Sequence, residues 1–516
     1  MGRNTACSRQ LAVPYDTVHV MHIESADAAS NPSFESAWWT PRLTGPLIAA
    51  AVVRLTLLAV VLTRSGTSGI IIADTASYLI PGRNLLLHGH FVADGMPDLL
   101  RTPGYPLFLA VTSLAGLPAA AVANVLLSVF NVFLVWRLGR AVSGNDRIAL
   151  VAAWIFAFEP LSVVFSVVLL SETLFLALFL LSMERLAEFL HRRRLWVLAV
   201  AGLWLAAATY VRPVTYYLPV ALAVGLFFAL MRVPGFPPQR QRPVAGGPGL
   251  RWKAPAVILI SVLPWLAAWQ VRNRMETGYS GFCSISEKSL YFVTAAEVTA
   301  RVEHRKFNDV DDEFGYYQGY DGAQQAYLYW TYLARHREQI GWSQGQRLAF
   351  MHSEAAGIIR AHFGVYLYSF FQALVKTAFN PSAGYFDRLL YPEGYRPAPF
   401  AAEDKDPIDW GIVLARTYPW IAAEKVAFLA VLLGLYLFAA RGVYLAVRGI
   451  FDGNMHSACL WLLLGTSLYF LAVSAVLGGV CADARYRLPV MPVVCIFAAA
   501  GARRAKTLVS AGGLAV

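Results

Sequence analysis

Apolar runs near 20 residues, repeated along most of the chain, constrain it more than any other feature. A helix of that length matches the hydrocarbon thickness of a bilayer. In hydrocarbon only a helix or a closed barrel satisfies its own backbone. Ten runs are read, at about residues 46–63, 120–138, 148–169, 172–190, 195–211, 214–231, 254–271, 419–440, 457–480 and 488–502. Charged residues make up 15% of the chain, well under the quarter a soluble domain carries. The fold class expected is all-α and polytopic, with about 10–12 transmembrane helices plus interfacial helices.

The formal charge of +11 does not point to nucleic acid, because the basic residues sit beside the apolar runs rather than on one soluble face. They cluster after every second run: Arg137, Arg140 and Arg147; His191 to Arg194; Arg232 to Lys253; Arg441 and Arg448; Arg503 to Lys506. With the N-terminus inside, all five clusters fall in the cytoplasm, as the excess of Lys and Arg in cytoplasmic loops requires. The localisation expected is a bacterial-type inner membrane. Residues 1–45 lack a charged-then-apolar leader and read as a cytosolic tail. Residues 46–271 read as a transmembrane core, 272–418 as an extracytoplasmic region with interfacial helices, and 419–516 as C-terminal spans. Arg54 lies inside the first run and needs either to snorkel or to meet a partner. Five cysteines, at 7, 283, 459, 481 and 495, have no metal-ligand spacing and read as unpaired.

This orientation brings a set of charges to one face. The loop 64–119 opens with Asp74 and closes on Arg101-Thr102-Pro103-Gly104-Tyr105-Pro106. Its piece 103–116 is apolar but too short to span, and reads as interfacial or re-entrant. Glu172, Arg212, Arg272, Arg485 and Arg487 fall at the same extracytoplasmic ends. Charges beside hydrocarbon usually line a polar cavity, and guanidinium groups fit phosphate oxygens as a rigid fork. A carboxylate ringed by arginines suits transfer from a lipid-phosphate donor. Arg101, Arg212, Arg272, Arg485 and Arg487 would hold the leaving phosphate. Asp74 would take the proton of an attacking hydroxyl. The absence of a second obvious nucleophile points to single displacement with inversion. The competing readings are a transporter or flippase of an anionic lipid-linked sugar, and a non-catalytic envelope scaffold.

The run Asp74…Tyr78…Leu85-Leu86…Gly89…Arg101-Thr102-Pro103-Gly104-Tyr105-Pro106 resembles the first-loop signature of the GT-C glycosyltransferases. The branch is that of the lipid A aminoarabinose transferase and the protein O-mannosyltransferase-like enzymes. Leu170-Ser171-Glu172-Thr173-Leu174-Phe175, Arg212-Pro213, Pro264-Trp265, Arg272-Asn273 and Arg485-Tyr486-Arg487-Leu488-Pro489 follow in the family's order, so the resemblance covers about residues 46–500. It implies a GT-C-like bundle that takes sugar from a polyprenyl-phosphate donor on the extracytoplasmic side. It implies Asp74 as the catalytic acid residue of the first loop and Arg101 as a cation near the lipid phosphate. Arg272 and Arg485 would be further phosphate or sugar contacts. Tyr78, Tyr105, Glu172, Asn273 and Tyr486 are the accompanying substrate-binding candidates. Thr75 follows Asp74 where protein O-mannosyltransferases carry an Asp-Glu pair, and Arg-Thr-Pro stands where the aminoarabinose enzymes have Lys-Pro.

No cofactor is expected. The Asp-x-Asp spacing at Asp309 and Asp311, in a run with Asp312 and Glu313, has the form of a divalent-cation site but reads as a solvated loop. The partners expected are the lipid-linked donor, membrane lipids, and an acceptor that is an envelope glycan, a lipid or a protein. Acceptor recognition is assigned to 272–418, whose aromatics Tyr316, Tyr317, Tyr320, Tyr327, Tyr329 and Trp330 suit stacking on sugar rings.

Overall fold

The computed structural model describes residues 40–231, 249–316, 325–390, 415–416, 419–448 and 457–502. The tail expected over 1–45 lies almost wholly outside them, as do Cys7, Tyr317 and Tyr320 and the side chains of Tyr327 and Tyr329. From Pro41 on, the chain forms one compact, mainly helical unit.

Among the described residues six helices are long and apolar enough to cross a membrane: Pro41–Ile70, Leu117–Ser143, Pro213–Leu230, Leu250–Thr277, Pro419–Val447 and Ala458–Cys481. Two bent pairs raise the number to eight: Asp146–Ala157 with Pro160–Val167, and Gln344–Ala361 with Phe363–Phe379. The fold is that of an all-α membrane protein, with fewer full-length spans among the described residues than the ten read from hydropathy. The physical reasons are local. Glu172–Arg192 is a continuous helix, but Glu184, Arg185, Glu188 and Arg192 load its C-terminal half with charge. Leu195–Val211 stops at 17 residues before Arg212-Pro213. The last run begins with a 3-10 segment, Ala484–Val490, which leaves only Met491–Gly501 as α-helix. The interfacial helix expected near 361–379 is the second arm of a pair bent by 101°.

Helix Leu117–Ser143 packs against Thr44–Ser65, Asp146–Ala157 and Glu172–Arg192. It carries a buried polar row, Asn124, Ser128 and Asn131, at the spacing of four and three that keeps side chains on one helical face. Asn124 donates to the carbonyls of Phe165, Ser166 and Val168, and Asn131 to that of Thr173. The first three carbonyls lie in the last turn of Pro160–Val167 and just beyond it, where the helix supplies no further amides and hydrocarbon offers no other partner. Glu159 caps the helix after the break by accepting from the amides of Leu161 and Ser162. Arg54, fully buried, fills the same breach. It donates to Ser128 Oγ at 2.8 Å, Ser162 Oγ at 2.9 Å and the Ala157 carbonyl at 2.8 Å. Arg54 therefore meets partners and does not snorkel. This polar seam fixes where Ser171 and Glu172 begin the next helix.

The first loop is also built. Helix Ala73–His88 ends at Gly89, and a two-stranded ribbon, Val92–Ala93 with Met96–Pro97, turns at Asp94-Gly95 with both φ positive, the conformation a tight hairpin asks of an Asp-Gly pair. Helix Gly104–Thr112 follows and packs on Ala73–His88. A Cβ at Gly82 would collide with the Pro106 carbonyl, so the two helices touch backbone to backbone. The acidic run is a short helix, Phe307–Glu313, in place of the loop expected. Asp312 pairs with Arg335 and Glu313 with Arg305, and Asp311 is buried.

Candidate active site

Asp74, Ser77 and Tyr78 lie three and four residues apart in the first turns of helix Ala73–His88. Side chains at that spacing share a face, and here the face receives one guanidinium. Arg101 donates from Nη2 to Asp74 Oδ1 at 2.8 Å, from Nε to Ser77 Oγ at 2.8 Å and from Nη1 to Tyr78 OH at 3.0 Å. The turn before it is held by Asp98, whose Oδ1 accepts from the Leu100 and Arg101 amides. Gly104 allows the turn to dock, because a Cβ there would meet the Tyr210 carbonyl at 2.7 Å.

The second oxygen of Asp74 belongs to a residue 411 positions away: Arg485 Nη1 donates to Oδ2 at 2.9 Å. Asp483 positions that arginine. Its Oδ1 accepts from the Arg485 amide at 2.9 Å and from Tyr385 OH at 2.7 Å, which caps the 3-10 segment Ala484–Val490. Arg485 Nη2 also donates to Tyr486 OH at 3.2 Å. The Asp74, Arg101 and Arg485 side chains keep 30%, 10% and 25% of their exposure, so the cluster is accessible yet mostly shielded. Burial pushes the Asp74 carboxyl up, but the two guanidiniums outweigh it and hold it below the usual carboxylate range.

Behind this triad stands a second pair, Glu172 with Arg212. Glu172 opens its helix, directly after Ser171, whose Oγ is 3.3 Å from Tyr78 OH. The pair lies within electrostatic reach of Tyr78 and Arg485. Tyr105 meets Tyr78 edge to face at 4.9 Å. Two polar atoms here, Glu172 Oε2 and Tyr105 OH, are buried with no hydrogen-bond partner.

Three expected site residues stand elsewhere. Arg487 donates to the carbonyls of Thr377 and Asn380 and to Ser382 Oγ at 2.8 Å, which closes the C-terminal end of helix Phe363–Phe379. Three residues per turn sends positions two apart to different faces, so Arg485 and Arg487 separate. Arg272 donates to the carbonyls of Phe91 and Asp98 and pairs with Glu276. Asn273 donates to the carbonyls of Gly281 and Phe282. Both hold the first loop and the segment after the seventh run; they do not face Asp74. Ser77, Asp98, Ser171, Tyr385 and Asp483 were not singled out from the sequence. Ser77 had a signal, its three-residue offset from Asp74. Tyr385 had none, since it reaches the site only through tertiary packing. Among the described residues no three His, Cys, Asp or Glu side chains are grouped to hold a metal. Cys283 donates its Sγ to the Leu100 carbonyl at 3.0 Å.

Residues 102–271 match the family model described as dolichyl-phosphate-mannose-protein mannosyltransferase. The match contains Glu172 and Arg212 but starts one residue after Arg101. No curated protein sequence matches the chain. Among solved structures, an oligosaccharyltransferase, AglB from Archaeoglobus fulgidus in complex with an inhibitory peptide and a dolichol-phosphate, aligns at 14% identity and a TM-score of 0.45. The alignment takes in 89% of this chain and 50% of that one, so the chain spans half the length of the archaeal protein. ArnT from Cupriavidus metallidurans aligns in its apo state at 13% identity and a TM-score of 0.34, and with undecaprenyl phosphate bound at 13% and 0.36. Both alignments take in 89% of this chain and 78% of ArnT. At these scores the overlaps are loose. Over residues 102–271, about a third of its length, the chain is thus similar to the dolichyl-phosphate-mannose-protein mannosyltransferase family.

Proposed function

We propose that the protein transfers a sugar from a polyprenyl-phosphate donor to an acceptor hydroxyl on the extracytoplasmic face of a bacterial-type inner membrane, with inversion. The observation that carries the reading is Asp74 clamped between Arg101 and Arg485. The matched family's description, which names a dolichyl-phosphate-linked mannose, supports the donor class.

In the resting site Asp74 is ionised but weakly basic, because both of its oxygens are engaged by guanidinium groups. An arriving donor phosphate competes for those donors, and the carboxylate regains basicity as they turn toward the new anion. The acceptor oxygen attacks the anomeric carbon, its proton passes to Asp74, and the bond from that carbon to the phosphate oxygen breaks. Charge accumulates on the departing polyprenyl phosphate. Arg101 and Arg485 therefore bind the transition state more strongly than the ground state, which is what lowers a barrier. Glu172 and Tyr105, each with a buried unpaired oxygen, contact the sugar or acceptor hydroxyls, and Arg212 holds Glu172 in place. Tyr78 and Tyr486 orient the two arginines. Arg272, Arg487 and Asn273 shape the loops without touching phosphate.

The decisive test is Asp74→Asn in the full-length protein. General-base removal costs about 10²–10⁴-fold, so transfer should fall by roughly that factor while donor binding persists. Transfer at the wild-type rate would remove Asp74 as the base.

A further inference from the structure

A cavity of about 80 Å³ is lined by Leu99 and Leu100, which precede Arg101 in its turn, by Met96, and by side chains between Ser284 and Met351. One wall is apolar, with Leu99, Phe292 and Met351; the other carries Ser284, Lys288, Gln344 and Arg347. Ser284 is fully buried and its Oγ has no hydrogen-bond partner. Its amide donates to the Leu99 carbonyl at 2.8 Å, so the residue is fixed to the turn that presents Arg101. Lys288 lies at the end of helix Ile285–Lys288, where the chain passes into a π-helical segment, Ser289–Ala295. Such segments are rare and concentrate at functional sites. The charged groups within reach of Lys288 are Asp98, Arg101 and Arg347. Two of the side chains that line the cavity, Lys288 and Arg347, are cationic, and none of its lining residues is a carboxylate. Burial pulls the Lys288 amine below its ordinary value, and Asp98 opposes this only in part.

A half-buried ammonium lining the pocket, beside an unpaired hydroxyl, offers an anion donors from two side chains. Ordered water in a volume of this size would number two or three molecules, which is also the room taken by one small oxyanion. The apolar wall suits the body of an amphiphile behind such a head. We propose that this cavity seats an anionic group, a phosphate or a carboxylate, carried by the sugar acceptor, with Lys288 and Ser284 as its direct partners. The inference rests on the glycosyltransferase reading and adds the acceptor's chemical class. The turn shared with Arg101 explains how an occupied cavity would set the acceptor hydroxyl relative to Asp74.

The test uses the full-length protein in detergent micelles, with inorganic phosphate as the probe and Lys288→Gln, Lys288→Arg, Arg485→Gln and Asp74→Asn as variants. Lys288→Gln should weaken phosphate binding at least about tenfold, and Lys288→Arg should restore most of it. Phosphate binding that survives Lys288→Gln but is lost in Arg485→Gln puts the anion at Asp74 and overturns the proposal. In transfer to a cell-envelope extract, Lys288→Gln should raise the acceptor KM at least about tenfold with the donor KM unchanged. A fall in kcat at constant acceptor KM overturns it. Mixed micelles of phosphatidate, against phosphatidylcholine as control, separate the sources of the anion. Competition with the acceptor by phosphatidate supports a lipid acceptor, competition by inorganic phosphate alone supports a soluble or polymeric one, and competition by neither overturns the site. Transfer that persists in Asp74→Asn would defeat the catalytic reading while leaving the Lys288 binding result to stand on its own.

Discussion

Replacing Arg485 with glutamine separates two consequences of the clamp that pull the rate in opposite directions. Arg485 and Arg101 hold the two oxygens of Asp74 at 2.9 and 2.8 Å, so each supplies about half of the carboxylate's counter-charge. An adjacent arginine lowers an aspartate pKa by about 1–3, and losing one should raise Asp74 by at least about one pH unit. A stronger base speeds proton removal, but by no more than about tenfold per pH unit. Against this, the variant loses one donor to the departing phosphate, a loss that costs about 10²–10³-fold at comparable oxyanion sites. The second effect wins, and transfer should fall by about tenfold to a hundredfold. Single-turnover transfer from a polyprenyl-phosphate sugar, measured across pH, reads both effects together. In the wild type the free-enzyme acid limb should lie below about pH 4, since Asp74 sits under the ordinary carboxylate range. Its ionised form is present above that limb and lost as pH falls through it. In Arg485→Gln the limb should move upward while the plateau drops. An unchanged plateau, or a limb that stays put or moves down, would refute the shared-clamp mechanism.

Three further expectations bear on the scaffold. Arg54→Met should destabilise the fold by about 1–3 kcal/mol, read as a lower thermal midpoint in detergent, because it leaves the buried Ala157 carbonyl without that donor and removes the bonds to Ser128 and Ser162; a midpoint equal to wild type would show that relief of a buried cation offsets those bonds. Gly82→Val should part helix Ala73–His88 from the Pro106 backbone and displace Asp74 from Arg101, with activity lost before the helix content changes in circular dichroism. Burial, reinforced by Asp312, pushes the Asp311 carboxyl up to about 7. The folded state then holds its proton more tightly than the unfolded chain, so stability falls as pH rises from about 4 to about 7, by roughly 1.4 kcal/mol per pH unit. Asp311→Asn should remove that slope, and it should raise the thermal midpoint at pH 8 with little effect at pH 4. A variant that keeps the wild-type slope would assign the effect to another group.

What the sequence disclosed depended on whether a signal was local. Asp74, Arg101 and Arg485 could be named because each closes or opens an apolar run, and orientation by the basic clusters sends all three to one face. The break at Glu159-Pro160 is equally legible in the residues, since proline holds the residue before it out of the α region and starts a new helix in its first position. Arg487 shows the opposite limit. It stands two residues from Arg485 with the same chemistry, and only the 3-10 geometry of Ala484–Val490 turns it onto the carbonyls of helix Phe363–Phe379. The count of spans failed for a related reason. Hydropathy windows see composition, whereas the length of Leu195–Val211 is set by where Arg212-Pro213 must stop the helix to meet Glu172.

The same contrast explains why the site is assembled from distant pieces. A single loop could bring Arg101 to Asp74, since 27 residues of chain separate them and the helix that carries Asp74 packs through Gly82 on the helix that follows Arg101. A second cation from that loop would have to stand beside the first, and two like charges repel unless a carboxylate lies between them. Drawing Arg485 from the far end of the chain solves this, because it approaches the opposite oxygen of Asp74. Its approach is set by Asp483 and Tyr385, which have no bond to the first loop. The two arginines are thus held by independent supports, one on each side of the carboxylate. Phosphate can draw both away without unfolding either support, and that is the property a clamp needs if it is to release its base at the moment of transfer.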